Sequence, residues 1–148
     1  MREFIFDIET DALLDTITKI HCLSYAEDDN SFKCTLYDEQ DIREFFQEGH
    51  RYIGHHIIGY DIKALLKIYN IPKPKHIVDT LALSWYLYPE RAEHGLESWG
   101  EDFKVPKPKI DDWQNLTIEE YTHRCETDVE INRLLWNKCK NRLQELYS

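Results

Sequence analysis

The sequence predicts an α/β domain built on a mixed sheet of five strands, and three observations lead there. Alternating and β-branched stretches crowd the first 37 residues, short apolar strands then alternate with helical segments, and the C-terminal stretch keeps helical period almost unbroken. Strands that precede the alternation pair as an antiparallel meander, whereas strands separated by helices join the sheet in parallel.

Glu3 to Ile8 alternates and is rich in Phe and Ile, which makes it the first strand. Ile17 to Ala26 reads as the second and Phe32 to Tyr37 as the third, with Asp28, Asp29 and Asn30 making the turn between them. Asp38 is placed to cap a helix that carries Ile42, Phe45 and Phe46 on one face and that Gly49 stops. Arg51 to Gly54 has the length of a buried strand, and a second helix runs from Asp61 to Tyr69. Lys75 to Val78 is the fifth strand, feeding a helix from Thr80 to Tyr88 that Pro89 ends. His94 to Trp99 forms a short helix before a Lys/Pro-rich loop, Lys104 to Lys109. Thr117 and Glu120 stand at capping-box spacing, and Tyr121, Cys125, Val129, Asn132, Leu135, Cys139 and Leu146 carry the last helix's apolar stripe.

At 148 residues the chain has the size of one compact domain, taken as 1–148, that needs no disulfide or metal to hold its core. With 42% hydrophobic and 31% charged residues it has globular composition, which excludes a disordered tail or a disulfide-dense scaffold. No apolar run reaches the roughly 20 residues of a membrane span, and acids interrupt the N-terminus where a signal peptide is apolar. A soluble, cytoplasmic protein is expected. Cys22, Cys34, Cys125 and Cys139 are isolated, so neither a zinc knuckle nor a redox pair is written here. A net charge of −10 argues against a broad basic face for nucleic acid, yet carboxylates that gather hard metals let the metals supply the positive field.

Asp7 and Glu9 lie two apart on the first strand and share a face, while Phe4, Phe6 and Ile8 take the other. A bare D-x-E is more commonly the solvent face of an edge strand. A strand followed by two more and then by crossover helices is more often central, and there paired acids need cations. Asp128 falls on the apolar stripe of the last helix, three after Cys125 and four before Asn132, where an unpaired carboxylate is costly unless the stripe shifts to expose it. Asp61 alone reads more readily as a helix cap, since a Tyr-Asp pair opening a helix is commonly one. Together Asp7, Glu9, Asp61 and Asp128 can converge on two hard divalent ions, and oxygen donors without thiolate or imidazole select Mg2+ or Mn2+. Gly54 to Gly59 has the outer glycine spacing of a phosphate loop, but Tyr60 and Asp61 follow it in place of Lys and Ser/Thr, which excludes a nucleotide triphosphatase.

The ordered blocks FDIETD, GHHIIGYDIKAL, HIVDTLALSWYL, HGLESWG and RCETDVEIN resemble the DEDD (DnaQ-like) superfamily of 3′-to-5′ exonucleases, most of all the proofreading domains of phage family A DNA polymerases. The resemblance spans nearly the whole chain. It implies a ribonuclease-H-like fold, with Asp7 and Glu9 as the first motif, Asp61 as the second and Asp128 as the third, holding two metal ions. It implies a hydrolase that releases nucleoside monophosphates from single-stranded or frayed DNA 3′ ends, acting as a monomer, with a DNA polymerase as a candidate partner and no membrane. The same acids would serve an exoribonuclease, and a non-catalytic DNA-end-binding or polymerase-docking domain is the rival from another class.

Two positions depart from the family pattern. His56 stands where Asn is usual, five residues before the second-motif acid, and can still donate a hydrogen bond to substrate. Near the last acid, one subclass has Tyr four residues earlier, where this chain has Arg124, and the other has His five earlier, which His123 matches. Arginine is never neutral, so Arg124 can grip phosphate but cannot take a proton from water. That leaves His123 as the general base, against its reading as a solvated helix residue beside Glu119 and Glu120. Tyr60, Tyr86 and Trp99 are candidates to stack on bases, although core packing suits them as well, and Lys104, Lys107 and Lys109 are candidates to contact the backbone.

Overall fold

The computed structural model describes residues 1–30, 32–47, 49–108, 110, 112 and 115–148. Five strands form one sheet: β1 (Glu3–Thr10), β2 (Ile20–Glu27), β3 (Lys33–Leu36), β4 (Arg51–Gly54) and β5 (His76–Asp79), in the order β3-β2-β1-β4-β5. The meander is antiparallel, and β4 and β5 are parallel to β1 and to each other, as expected of strands joined by helices. The first strand is therefore central. That position decides between the two readings of D-x-E, since both edges of β1 are paired.

Helices α1 (Glu39–Phe45) and α2 (Ile62–Tyr69) cover one face, where Phe4, Phe6 and Ile8 meet Ile42, Phe46 and Leu65. Helices α3 (Thr80–Leu87), α4 (Leu96–Asp102) and α5 (Ile118–Tyr147) cover the other, where Ile5 and Ile53 meet Trp99, Val129, Ile131 and Leu135. The alternation along β1 thus sorts the chain into two cores, with Asp7 and Glu9 on the α5 side. Among the described residues no helix is long and apolar enough to cross a membrane, and all four cysteines are free.

Several expectations shift at their edges. The second strand begins at Ile20 rather than Ile17, because Asp11 accepts hydrogen bonds from the Thr18 and Lys19 N–H groups and closes a loop there. Asp38 sits at the N-cap position of α1 without a side-chain capping bond, and α1 ends at Phe45, ahead of Gly49. The Thr117 and Glu120 capping box forms as expected, but Leu146 is exposed because the 30-residue α5 outruns the sheet it packs on. The largest departure lies before α2: residues Ile57–Asp61 make a π-helical turn, entered through His56 in the left-handed region at φ 63°.

Candidate active site

Period two places Asp7 and Glu9 on the face that receives α5, and the 3.6-residue period places Asp128 on the α5 face that meets β1. One carboxylate oxygen from each of Asp7, Glu9 and Asp128 lies within 4.8 Å of the others. Glu9 and Asp128 are both buried, at 9% exposure. Cys125, one turn before Asp128, donates its thiol to the Asp7 carbonyl at 3.1 Å and ties the helix to the strand at the level of the acids.

Asp61 approaches from the π-helical turn and is 5% exposed. It stands outside the group of three but close enough that its charge raises the Asp7 carboxyl. The Ile8 N–H steadies its carboxylate, whereas Asp61 Oδ2 is buried without a hydrogen-bond partner among the described residues. A buried carboxylate oxygen without a donor is unfavourable unless a cation meets it.

Electrostatics tell the same story. Burial, followed by the charges of Asp128, Asp61 and Glu9, holds the Asp7 carboxyl well above the usual carboxylate range. Burial pushes Glu9 up to about 7 even though Arg124 pulls it down. Asp61 is raised well above its ordinary value by burial, with Asp79 and Glu9 adding to the effect. Burial likewise raises Asp128 against the opposing pull of Lys107 and Arg124. Four acids that each resist ionisation in the metal-free fold form a site that divalent cations would relieve, and an all-oxygen donor set suits Mg2+ or Mn2+.

Two cations already reach the acids. Arg124 Nε lies 3.9 Å from Glu9 Oε1, as its position one turn before Asp128 dictates, and Lys107 Nζ lies 3.3 Å from Asp128 Oδ1. Sequence reasoning had Lys107 only as a backbone contact, because nothing local shows where a loop lysine folds back. Lys104 is exposed at φ 59°, and Lys109 lies outside the described residues. His123 is exposed in a continuous α5, about 140° around the helix from Asp128, and lines a surface groove with Tyr37 and Ile118. His56 is exposed with its ring over Gly59, where an added Cβ would lie 2.4 Å from His56 Cε1. The Tyr60 hydroxyl donates to the Ala12 carbonyl at 2.6 Å and also meets Thr10, bracing the turn against the end of β1. Trp99 belongs to the core, at 1% exposure under the Arg91 guanidinium. Tyr86 is exposed with its hydroxyl against that of Tyr147.

Sheet order and helix placement define the ribonuclease-H-like fold that the sequence resemblance implied. Neither a protein-family model nor a curated protein matches the chain. Solved structures do. Brucella melitensis NrnC with bound Mg2+ aligns over 97% of this chain and 74% of its own, at 16% identity and a TM-score of 0.76. Escherichia coli RNase D, an exoribonuclease involved in structured RNA processing, aligns over 97% of this chain and 40% of its own, at 14% identity and a TM-score of 0.70. Phi29 DNA polymerase, complexed with primer-template DNA and incoming nucleotide, aligns over 99% of this chain and 32% of its own, at 13% identity and a TM-score of 0.64. Superposition on the bacterial NrnC is thus better than on this polymerase.

Proposed function

We propose that this chain is a two-metal-ion 3′-to-5′ exonuclease of the DEDD type, releasing nucleoside monophosphates from single-stranded or frayed DNA 3′ ends in proofreading or DNA processing. The observation that carries the reading is the convergence of Asp7, Glu9 and Asp128 within 4.8 Å, with buried Asp61 beside them. The Mg2+ in the NrnC structure and the DNA in the Phi29 polymerase structure support it. Asp7, Glu9, Asp61 and Asp128 would hold the ions. Divalent ions at such a centre supply a lowered water pKa and positive charge at the leaving 3′ oxygen.

The chain's own residues do the rest. Arg124 and Lys107 keep permanent positive charge beside Glu9 and Asp128, where a phosphate drawn to the acids' ions would meet them. His123, exposed about 140° around α5 from Asp128, does not reach a water held by these acids and is not assigned as its base, and His56 and Tyr60 flank the turn that carries Asp61 and bound the substrate. With net −10 the chain has little basic surface for melting duplex, so it acts on ends that are already open. It works as a monomer in the cytoplasm, alone or alongside a DNA polymerase.

RNA is the second reading, favoured by the RNase D likeness and by the NrnC structure bound to pGG. Matched single-stranded DNA and RNA oligomers of one sequence, incubated with the protein and Mg2+, separate the two. The proposal expects faster release of mononucleotides from DNA, and faster release from RNA transfers the activity to the second reading. Oligomer binding without turnover of either would leave an end-binding domain.

A further inference from the structure

Two sequence blocks, HIVDTLALSWYL and HGLESWG, contribute none of the four acids, yet they hold a buried polar network. Its centre is Asp79, the last residue of β5, paired in register with Gly54 at the end of β4 and 9% exposed. Oδ1 accepts from the N–H of His56 at 2.8 Å and from that of Leu81 at 2.9 Å, while Oδ2 accepts from the N–H of Ile58 at 3.1 Å. One carboxylate therefore caps α3 and fastens two amides of the turn leading to Asp61.

That turn needs fastening. His56 is a non-glycine residue in the left-handed region, and the π-helical turn after it leaves the first amides without intrahelical acceptors. Gly54, where β4 runs into this turn, has no room for a side chain, because a Cβ there would lie 2.2 Å from Ile57 Cγ2 and 3.1 Å from the Phe6 carbonyl.

A second arm reaches the same turn from α5. His55 Nε2 lies 2.8 Å from the His94 carbonyl, an obligate acceptor, so Nε2 carries the proton. Burial pulls the His55 imidazole down to about 4, so the ring is neutral and Nδ1 accepts from Thr80 Oγ1 at 2.9 Å. Thr80 in turn accepts from Asn132 Nδ2 at 2.8 Å, and its one hydroxyl proton is shared between His55 Nδ1 and the Gly54 carbonyl, which lies farther off at 3.2 Å. The chain Asn132, Thr80, His55, His94 thus runs one way, from the helix that carries Asp128 to the residue preceding the strained turn.

We propose that Asp79 is a positioning residue for Asp61, holding the backbone of the 56–61 turn so that the free Asp61 oxygen stays turned to the other acids, with His55, Thr80 and Asn132 fixing that turn against α5. The inference rests on the metal-dependent nuclease reading, and it concerns the metal site nearest Asp61. Without the Asp79 carboxylate, the His56 and Ile58 amides lose their acceptors, the turn relaxes, and Asp61 leaves its place while Asp7, Glu9 and Asp128 keep theirs.

The test is a Mn2+ titration of the metal-free full chain by calorimetry, with bound ions counted independently by the electron paramagnetic resonance signal of free Mn2+. Wild type is expected to bind two ions. Asp79→Ala should weaken one of them at least tenfold and leave the other unchanged. Asp79→Asn should fall between, because its single carbonyl oxygen can still serve His56 and Leu81 while its amide nitrogen faces the Ile58 N–H. Circular dichroism verifies the fold of each variant, and amide exchange relative to the β1 amides should accelerate at Ile58 in Asp79→Asn and at both His56 and Ile58 in Asp79→Ala. Two sites of wild-type affinity in folded Asp79→Ala, or in Asp79→Asn if only that variant folds, would overturn the inference. So would an equal loss at both sites in proportion to unfolded protein, which is all that a merely structural role produces. A wild-type chain that binds no Mn2+ would overturn the metal reading itself, and this inference with it.

Discussion

Replacing Glu9 by Gln tests the electrostatics of the site without any assay of activity. Glu9 is pushed from 4.5 up to about 7 in the metal-free fold, chiefly by burial. Between those values the native state keeps a proton that the unfolded chain has released, so stability falls as pH rises through the window. The difference of about 2.5 units, at about 1.4 kcal/mol per unit, amounts to roughly 3 kcal/mol by pH 8 and to about 1 kcal/mol at pH 5. Glu9→Gln removes that penalty and gives back the attraction of Arg124, whose Nε lies 3.9 Å away, and the weaker one of Lys107. For a domain of this size, 3 kcal/mol corresponds to a rise of about 6 to 12 °C in Tm. Thermal unfolding in EDTA at pH 5 and pH 8 should show the variant's advantage over wild type several times larger at the higher pH. In saturating Mg2+ the order should reverse, since wild type gains binding energy at a site the variant has damaged. Equal pH dependence of the two proteins in EDTA would refute the reasoning, because it would mean that Glu9 ionises freely in the fold.

Other outcomes follow from the same geometry. Asp7→Ala should abolish cleavage by removing a carboxylate that lies within 4.8 Å of those of Glu9 and Asp128, yet raise metal-free Tm at pH 8, as read by oligonucleotide digestion and calorimetry. His123→Ala should leave the rate of digestion and the oligomer affinity close to wild type, because the imidazole lies on the far side of α5 from Asp128, and loss of most of the rate would restore it as the base. Arg124→Ala should instead weaken binding and flatten its salt dependence, measured by fluorescence anisotropy at several salt concentrations. Gly100→Ala should destabilise the fold by about 1 to 3 kcal/mol in chemical denaturation, since the added Cβ would lie 2.8 Å from Ile131 Cδ1 and 3.3 Å from the Val105 carbonyl.

How much of this was legible in the sequence depended on whether a residue's role is set by local period or by tertiary neighbours. Asp7 and Glu9 were legible because strand alternation fixes their face and the strand order makes β1 central. Asp128 was legible because it interrupts an apolar helical stripe that β1 covers. Asp61 was ambiguous, since an acid before a helix reads as a cap. Its side chain makes no capping bond, and it turns toward β1 only because a π-helical turn precedes α2. Asp79 was hidden for the opposite reason. It is a true cap of α3, and the sequence gives no sign that the same carboxylate holds His56 and Ile58, 23 and 21 residues away. Lys107 was placed in a loop without a direction, and only the closing of that loop over α5 brings it to Asp128.

The most direct measurement is digestion of a single-stranded DNA oligomer carrying label at its 3′ end, in Mg2+ and in EDTA, with Asp128→Ala run beside wild type. The account predicts immediate release of labelled mononucleotide by wild type in Mg2+, none in EDTA and none from the variant. Undiminished release in EDTA or by Asp128→Ala, or labelled products longer than a mononucleotide from the first turnover, would contradict it.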